Sequence, residues 1–370
     1  MKLATYRDGS RDGQLVVVSR DLSMAHYATG IAERMQQLLD DWNFISPQLQ
    51  DLSDALNRGG DGTSGSGKAR HAFPFGPAMC MAPLPRAFQW VDGSAYLNHV
   101  ELVRLARHAP VPANYYTEPL MYQGGSDDFL GPCQDAPFAS EAWGIDFEAE
   151  VVCITGDVPM QCSPERALDG IRLIMLANDW SLRQLVPDEL AKNFGFLQSK
   201  PATAFSPVAV TLDEFAVSAN GGVGNDATIA TTASTATSTS AWNGGRLSVT
   251  VQSQWNGRTV GLCDAATDMT FHFGQLIAHL CKTRNVRAGS IIGSGTVSNK
   301  GVEVTVDGSV KKDWPKGYSC IAEKRAIETI LDGEPKTDYM KFGDTIRIEA
   351  KGRDGQSVFG AIEQKVVSLP

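Results

Sequence analysis

Nothing in the 370-residue chain approaches the roughly 18 consecutive apolar residues that a membrane-spanning helix needs, so no membrane segment is expected. Basic residues are not in excess either. Lys and Arg number 33 against 42 Asp and Glu, a formal net charge of −9 with an isoelectric point near 5.2. That balance excludes a general nucleic-acid binder and a basic membrane-surface protein. The seven Cys (Cys80, Cys133, Cys153, Cys162, Cys263, Cys281 and Cys320) form no Cys-x-x-Cys pair. An odd, unclustered set reads as free thiols of a cytoplasmic protein, not as a disulfide or zinc framework. The opening MKLATYRDGSRDGQ has no apolar signal core, so no secretion signal is expected. There is no internal repeat. What remains is 42% hydrophobic and 20% charged, an ordinary globular make-up with length for one large domain and a small one.

The small unit is expected over 1–75 and the large one over 76–370. KLATYRDG and QLVVVSRD read as two strands around a turn, and IAERMQQLLDDWNFISPQLQDLSDAL as helix broken near Ser46 and Pro47. NRGGDGTSGSGKAR reads as a flexible Gly/Ser linker, and 218–245 as a low-complexity surface excursion. RLSVTVQSQWNGRTVG predicts a hairpin turning at Asn256-Gly257, and DTIRIEAKGRDGQSVFGAIEQKVV another strand pair. SPERALDGIRLIMLA predicts a helix capped by Ser163 with Pro164 at its first position, and MTFHFGQLIAHLCKTR predicts a second. Strands outnumber helices without alternating with them, which favours an α+β, mostly β fold of mixed sheets.

Chemistry concentrates in five stretches. GIDFEAEVVCI places Asp146, Glu148 and Glu150 at every second position before an apolar run. On a strand these acids share a face about 7 Å apart, and closely packed carboxylates resist burial. A divalent cation with hard oxygen ligands would resolve that conflict; an exposed acidic face is the plain alternative. LANDWSLRQLV holds Asp179 just after a helix, with Arg183 four residues on. QWVDGSAYLNHVELVR holds Asp92 and His99, GFLQSKPATAFSP holds Lys200, and GSIIGSGTVSN offers backbone N–H groups and Thr296 to a carboxylate. Taken singly, each has a bland counterpart: a structural ion pair, an ordinary His, a solvated Lys, a glycine turn.

Together and in this order, DFEAEVV, NDWSLR, SKPATAFSP and GSGTVSN resemble the core motifs of the fumarylacetoacetate hydrolase family. The resemblance covers roughly 80–370. APLPRAFQWVDGSAYLNHVELVR and GYSCIAEKRAIETI extend it toward the branch of fumarylacetoacetases and acylpyruvate hydrolases. It implies a mixed β-sheet roll behind a small N-terminal domain. It implies Asp92, Glu148, Glu150 and Asp179 as ligands of a divalent metal, Mg²⁺ first, with Mn²⁺ or Ca²⁺ as alternatives. His99 would be the catalytic base, oriented by Glu323. Lys200 and Arg183 would offset the acids and help hold an anionic substrate, and Tyr122 and Thr296 would contact it. A substrate-binding arginine is implied downstream of the His, at Arg104 or Arg107. Val186 departs from the pattern, with Gln184 nearby, which bears on the substrate more than on the reaction.

The implied reaction is hydrolysis of a C–C bond in a 1,3-diketo acid or acylpyruvate such as fumarylacetoacetate, in aromatic amino acid catabolism, by a cytoplasmic homodimer. A 2-oxo acid decarboxylase, a tautomerase or a sugar-acid dehydratase on the same scaffold is the rival reading, and a non-catalytic metal-binding homologue a further one. The pairing of His99 with Glu323 is the feature that separates hydrolysis from these.

Overall fold

The computed structural model describes residues 1–58, 70–216, 240–306, 309–352 and 354–369. Most of the Gly/Ser linker and of the 218–245 excursion lies outside them. The centre is an 11-stranded sheet. Its order runs Phe73–Pro74, Met24–Tyr27, Gln14–Val18, Lys2–Tyr6, Ala209–Val210, Ile171–Asn178, Ala149–Thr155, Ser290–Gly293, Gln89–Gly93 and Met121–Gly124, with Ala204–Phe205 beside Ile171–Asn178. All neighbours are antiparallel except Ser290–Gly293 and Gln89–Gly93. A second sheet of five strands holds Arg258–Asp264, Thr250–Trp255, Thr345–Lys351, Ser357–Ser368 and Ala136–Phe138. The N-terminal strands are part of the large sheet, because Lys2 and Leu3 pair with Val210 and Ala209.

The helices are α1 (Met35–Asp40), α2 (Trp42–Arg58), α3 (Leu97–Ala106), α4 (Pro164–Ala167), α5 (Val186–Ala191), α6 (Phe273–Leu280) and α7 (Ile321–Asp332). Alternate residues of the central strands feed two cores. Val151, Cys153, Ile174 and Ile292 pack with Leu276 and Ile277 of α6 and with Val251 and Ile348 of the second sheet. Val152, Ile154, Leu173 and Ile291 pack with Leu38 and Leu49 of α1 and α2.

This double burial corrects the helix expected from Ser163 onward. Ser163 does cap α4, accepting from the Arg166 N–H at 3.4 Å, but the helix ends within two short turns and Ile171–Asn178 is a strand. A strand covered on both faces shows a continuous apolar run, which periodicity alone does not separate from a buried helix. Asp179 therefore follows a strand, not a helix. The break expected at Ser46-Pro47 falls instead at Asp41, between α1 and α2. Pro47 is the sixth residue of α2, and the helix carries it at the cost of the one bond its missing N–H would make to the Asn43 carbonyl. The Asn256-Gly257 hairpin forms as expected, with φ of 49° and 74° at the two residues, both positive as a type I′ turn requires.

Candidate active site

The acids gather where three central strands begin or end. Asp92 is next to last in Gln89–Gly93, Glu150 second in Ala149–Thr155, and Asp179 directly follows Ile171–Asn178. Asp92 lies two residues beyond Trp90, and Glu150 two before Val152, so both extend the sheet face that α1 and α2 cover further along. Gly293 faces Asp92 across the parallel pair, and a Cβ there would sit 2.3 Å from Asp92 Oδ1. Glycine is what admits the carboxylate. Two residues on, Gly295 holds φ +74° and donates its N–H to the same oxygen at 2.9 Å. The glycine loop thus serves Asp92, while its Thr296 lines the cavity.

Oxygens of Asp92, Glu150 and Asp179 lie within 4.8 Å of one another. Glu150 is fully buried, and among the described residues neither of its carboxylate oxygens has a hydrogen-bond partner. Burial, followed by the charge of Asp179, pushes Asp92 up to about 8. Burial and then Asp92 and Asp179 carry Glu150 well above the usual carboxylate range. Three dry carboxyls with hard oxygen donors and an orphaned pair of lone-pair sites fit a divalent cation.

Glu148 has different company. Its chain leaves the strand ladder at 147–148, and its oxygens accept from Arg183 Nη2 at 2.5 Å and Lys200 Nζ at 2.6 Å. Burial opposes ionisation, but Arg183 and Lys200 outweigh it and hold Glu148 well below the usual range. Lys200 Nζ also donates to Asp179 Oδ2 at 2.6 Å, and Thr203 to Asp179 Oδ1 at 2.8 Å. Burial would lower Lys200, yet Asp179 and Glu148 keep it charged well above the ordinary lysine value. Tyr122, opposite Asp92 on the next strand, donates to Asp179 Oδ2, and its ring lies 5.1 Å from Lys200 Nζ.

His99 is in the first turn of α3 and Glu323 in the first turn of α7. His99 Nδ1 is 3.0 Å from Glu323 Oε2, and Glu323 is fully buried. A proton on Nδ1 pairs with Glu323 Oε2 and leaves Nε2 as the basic nitrogen, on the side chain that lines the cavity. Cys320 Sγ accepts from the Glu323 N–H at 3.4 Å and stands 4.0 Å from His99 Nδ1.

Asp146 was noted in the sequence without a role. It accepts from the Ile321 and Ala322 N–H groups at 2.7 and 2.9 Å, opening α7, and from Arg183 Nε at 2.8 Å. It therefore ties the helix that carries Glu323 to the arginine that holds Glu148. Only the two-residue spacing from Glu148 hinted at this, because its partners lie 37 and 175 residues away. Arg104 donates to Pro110 O at 2.8 Å and to Tyr115 at 3.1 Å; both Arg104 and Arg107 line the cavity. One cavity of about 560 Å³ is lined by Asp92, His99, Arg104, Tyr122, Glu148, Arg183, Lys200 and Thr296.

The same residues lie inside a match to a family sequence model. Residues 89–367 match the model described as fumarylacetoacetate hydrolase C-terminal, and residues 1–86 match fumarylacetoacetase N-terminal domain 2. The chain belongs to the fumarylacetoacetate hydrolase family. No curated protein shows a significant match to it. Among solved structures, it resembles fumarylacetoacetate hydrolase from the psychrophile Exiguobacterium antarcticum at 15% identity and a TM-score of 0.59, with both chains fully covered. Maleylpyruvate hydrolase from Sphingobium sp. SYK-6 gives 16% and 0.54, again with both chains fully covered. A 2-hydroxyhepta-2,4-diene-1,7-dioate isomerase from Mycobacterium marinum gives 14% and 0.54, covering all of this chain and 98% of that one. At these identities the likeness establishes the shared α+β fold, and the fold hosts hydrolases and an isomerase alike.

Proposed function

We propose that this protein is a metal-dependent hydrolase that cleaves the C–C bond between the two carbonyls of a 1,3-diketo acid or acylpyruvate, of which fumarylacetoacetate is one example. The observation that carries the reading is the His99–Glu323 pair at 3.0 Å, with His99 on the cavity that Asp92 of the acid cluster also lines. Isomerisation and decarboxylation of such substrates need no activated water, whereas hydrolysis does.

Asp92, Glu150 and Asp179 would hold the cation, with Glu148 beside them, its oxygens engaged by Arg183 and Lys200. A bound Mg²⁺ or Mn²⁺ supplies Lewis-acid polarisation of a carbonyl. His99 Nε2 takes a proton from water, and the hydroxide adds to the acyl carbonyl carbon. Glu323 stabilises the imidazolium that results. The C–C bond then breaks with its electron pair passing into an enolate, beside the ammonium of Lys200. The imidazolium returns the proton to the enolate carbon, so one water is consumed and a carboxylic acid and a 2-oxo acid (or ketone) leave. Arg183, Tyr122, Thr296 and Arg104 are proposed to contact the substrate.

The activity test is loss of diketo-acid absorbance in protein stripped with EDTA and then given Mg²⁺ or Mn²⁺. Restoration by the metal is expected; full turnover in verified metal-free protein contradicts the reading. We further propose a homodimer joined through the large domain (76–370), as two-fold pairing is the commonest assembly. A monomer in light scattering at micromolar concentration contradicts that.

A further inference from the structure

The cavity continues well past the acids and the His–Glu pair. On α3, His99, Val100, Val103, Arg104 and Ala106 face it, with Arg107 at the C-cap, the spacing of one helical stripe. From His99 to Arg107 that stripe runs ~12 Å at 1.5 Å per residue. On α7, Ala322, Ala326 and Thr329 repeat the spacing, so the cavity runs as a trough along the seam where the two helices pack, Val103 and Ala106 against Ala326 and Ile327. Leu190 and Phe196 stand on its lining as well. The acids on the lining are Asp92 and Glu148, both at the site end, and none lies along the helical trough. Of the three arginines there, two are already engaged by protein groups, and the third, Arg107, is exposed at the end of α3. Arg104 binds Pro110 O and Tyr115, and Arg325 binds Thr337 O with its guanidinium 4.6 Å from the Tyr339 ring centre.

We propose that this trough is an acyl arm, and that the natural substrate carries an apolar acyl chain of about its length, not a short dicarboxylic one. The proposal rests on the acylpyruvate reading of the site given above. A four-carbon acidic acyl group would occupy only the end beside His99 and leave the half-buried faces of Val103 and Ala106 uncovered. Each methylene laid against these walls leaves water, which is worth about fourfold in binding.

The experiment uses the full, metal-loaded chain and straight-chain acylpyruvates from acetyl to decanoyl. It reads kcat/KM for each, and by calorimetry the affinity of the corresponding straight-chain carboxylic acids, which are the reaction's products. Both quantities are expected to climb about fourfold per added methylene until the arm is full. Ala106→Trp should flatten that climb, and Thr329→Trp, on the facing helix, makes the same test should the first variant fail to fold. Two flat series overturn the arm, as does a fumaryl substrate that outruns every alkyl one. Product affinity that climbs while no acylpyruvate is turned over supports the arm and overturns the hydrolase reading, so the two failures are distinct.

Discussion

Glu148 and Glu150 are two residues apart, yet they meet opposite surroundings. Glu148 is clamped by two cations and stays ionised, whereas Glu150 sits with Asp92 and Asp179 and has no hydrogen-bond partner among the described residues. That contrast gives metal binding a pH dependence. Burial and Asp179 raise Asp92 to about 8, so below that pH the metal-free carboxyl holds a proton that an incoming cation must displace. Glu150 is raised as well, so Mn²⁺ affinity, measured by calorimetry, should fall by at least about tenfold per pH unit from 8 down to 6. An affinity unchanged over that range removes Asp92 from the ligand set. His99 tests the chemistry instead. His99→Ala should lower kcat by about 10²–10⁴-fold while KM changes little, because a base acts mainly in the transition state. Wild-type kcat in that variant would leave hydrolysis without its base. Asp146 acts through its neighbours, Arg183 and the start of α7. Asp146→Ala leaves Arg183 with one fewer buried partner and should cost about 3–5 kcal/mol in denaturant unfolding, with kcat reduced as Glu323 loosens. A variant as stable as wild type would show that the tie carries nothing.

At the scale of elements, DFEAEVV reads as one alternating strand, but the ladder is interrupted at 147–148: Glu150 joins Asp92 and Asp179, while Glu148 meets Arg183 and Lys200. The alternation could not foretell that Asp146 opens α7, since helix and strand meet only in three dimensions. The NG hairpin was legible because φ above zero at both turn residues has few sequence solutions. Ile171–Asn178 was illegible for the opposite reason: a strand buried on both faces carries no polar beat to give its period. The glycine loop was legible as a loop, but its service to Asp92 was not. Gly293→Ala would set a methyl 2.3 Å from Asp92 Oδ1 and against the Trp90 ring. It should lower Mn²⁺ affinity at least tenfold while circular dichroism stays that of the wild type. Unchanged affinity would mean that the close approach is slack.

Over the whole molecule, residues from Asp92 to Glu323 converge because one sheet ends there and two helices, α3 and α7, start against it. The N-terminal strands extend that sheet from the far side, so the first residues support the core that the site stands on. Among the described residues, no helix is long and apolar enough to cross a membrane. The residues from Asp92 to Glu323 that the motifs singled out lie on or beside this one cavity, whereas the trough beyond them has no motif, because apolar spacing on two helices looks the same in a core. The account stands on one chemical event, the addition of water to an acyl carbonyl with loss of the C–C bond. The direct measurement is turnover of an acylpyruvate by the metal-loaded protein in ¹⁸O-enriched water, with mass spectrometry of the products. One ¹⁸O in the carboxyl group of the released acid is the expected result. Turnover that yields an isomer or carbon dioxide, with no labelled acid, would contradict it.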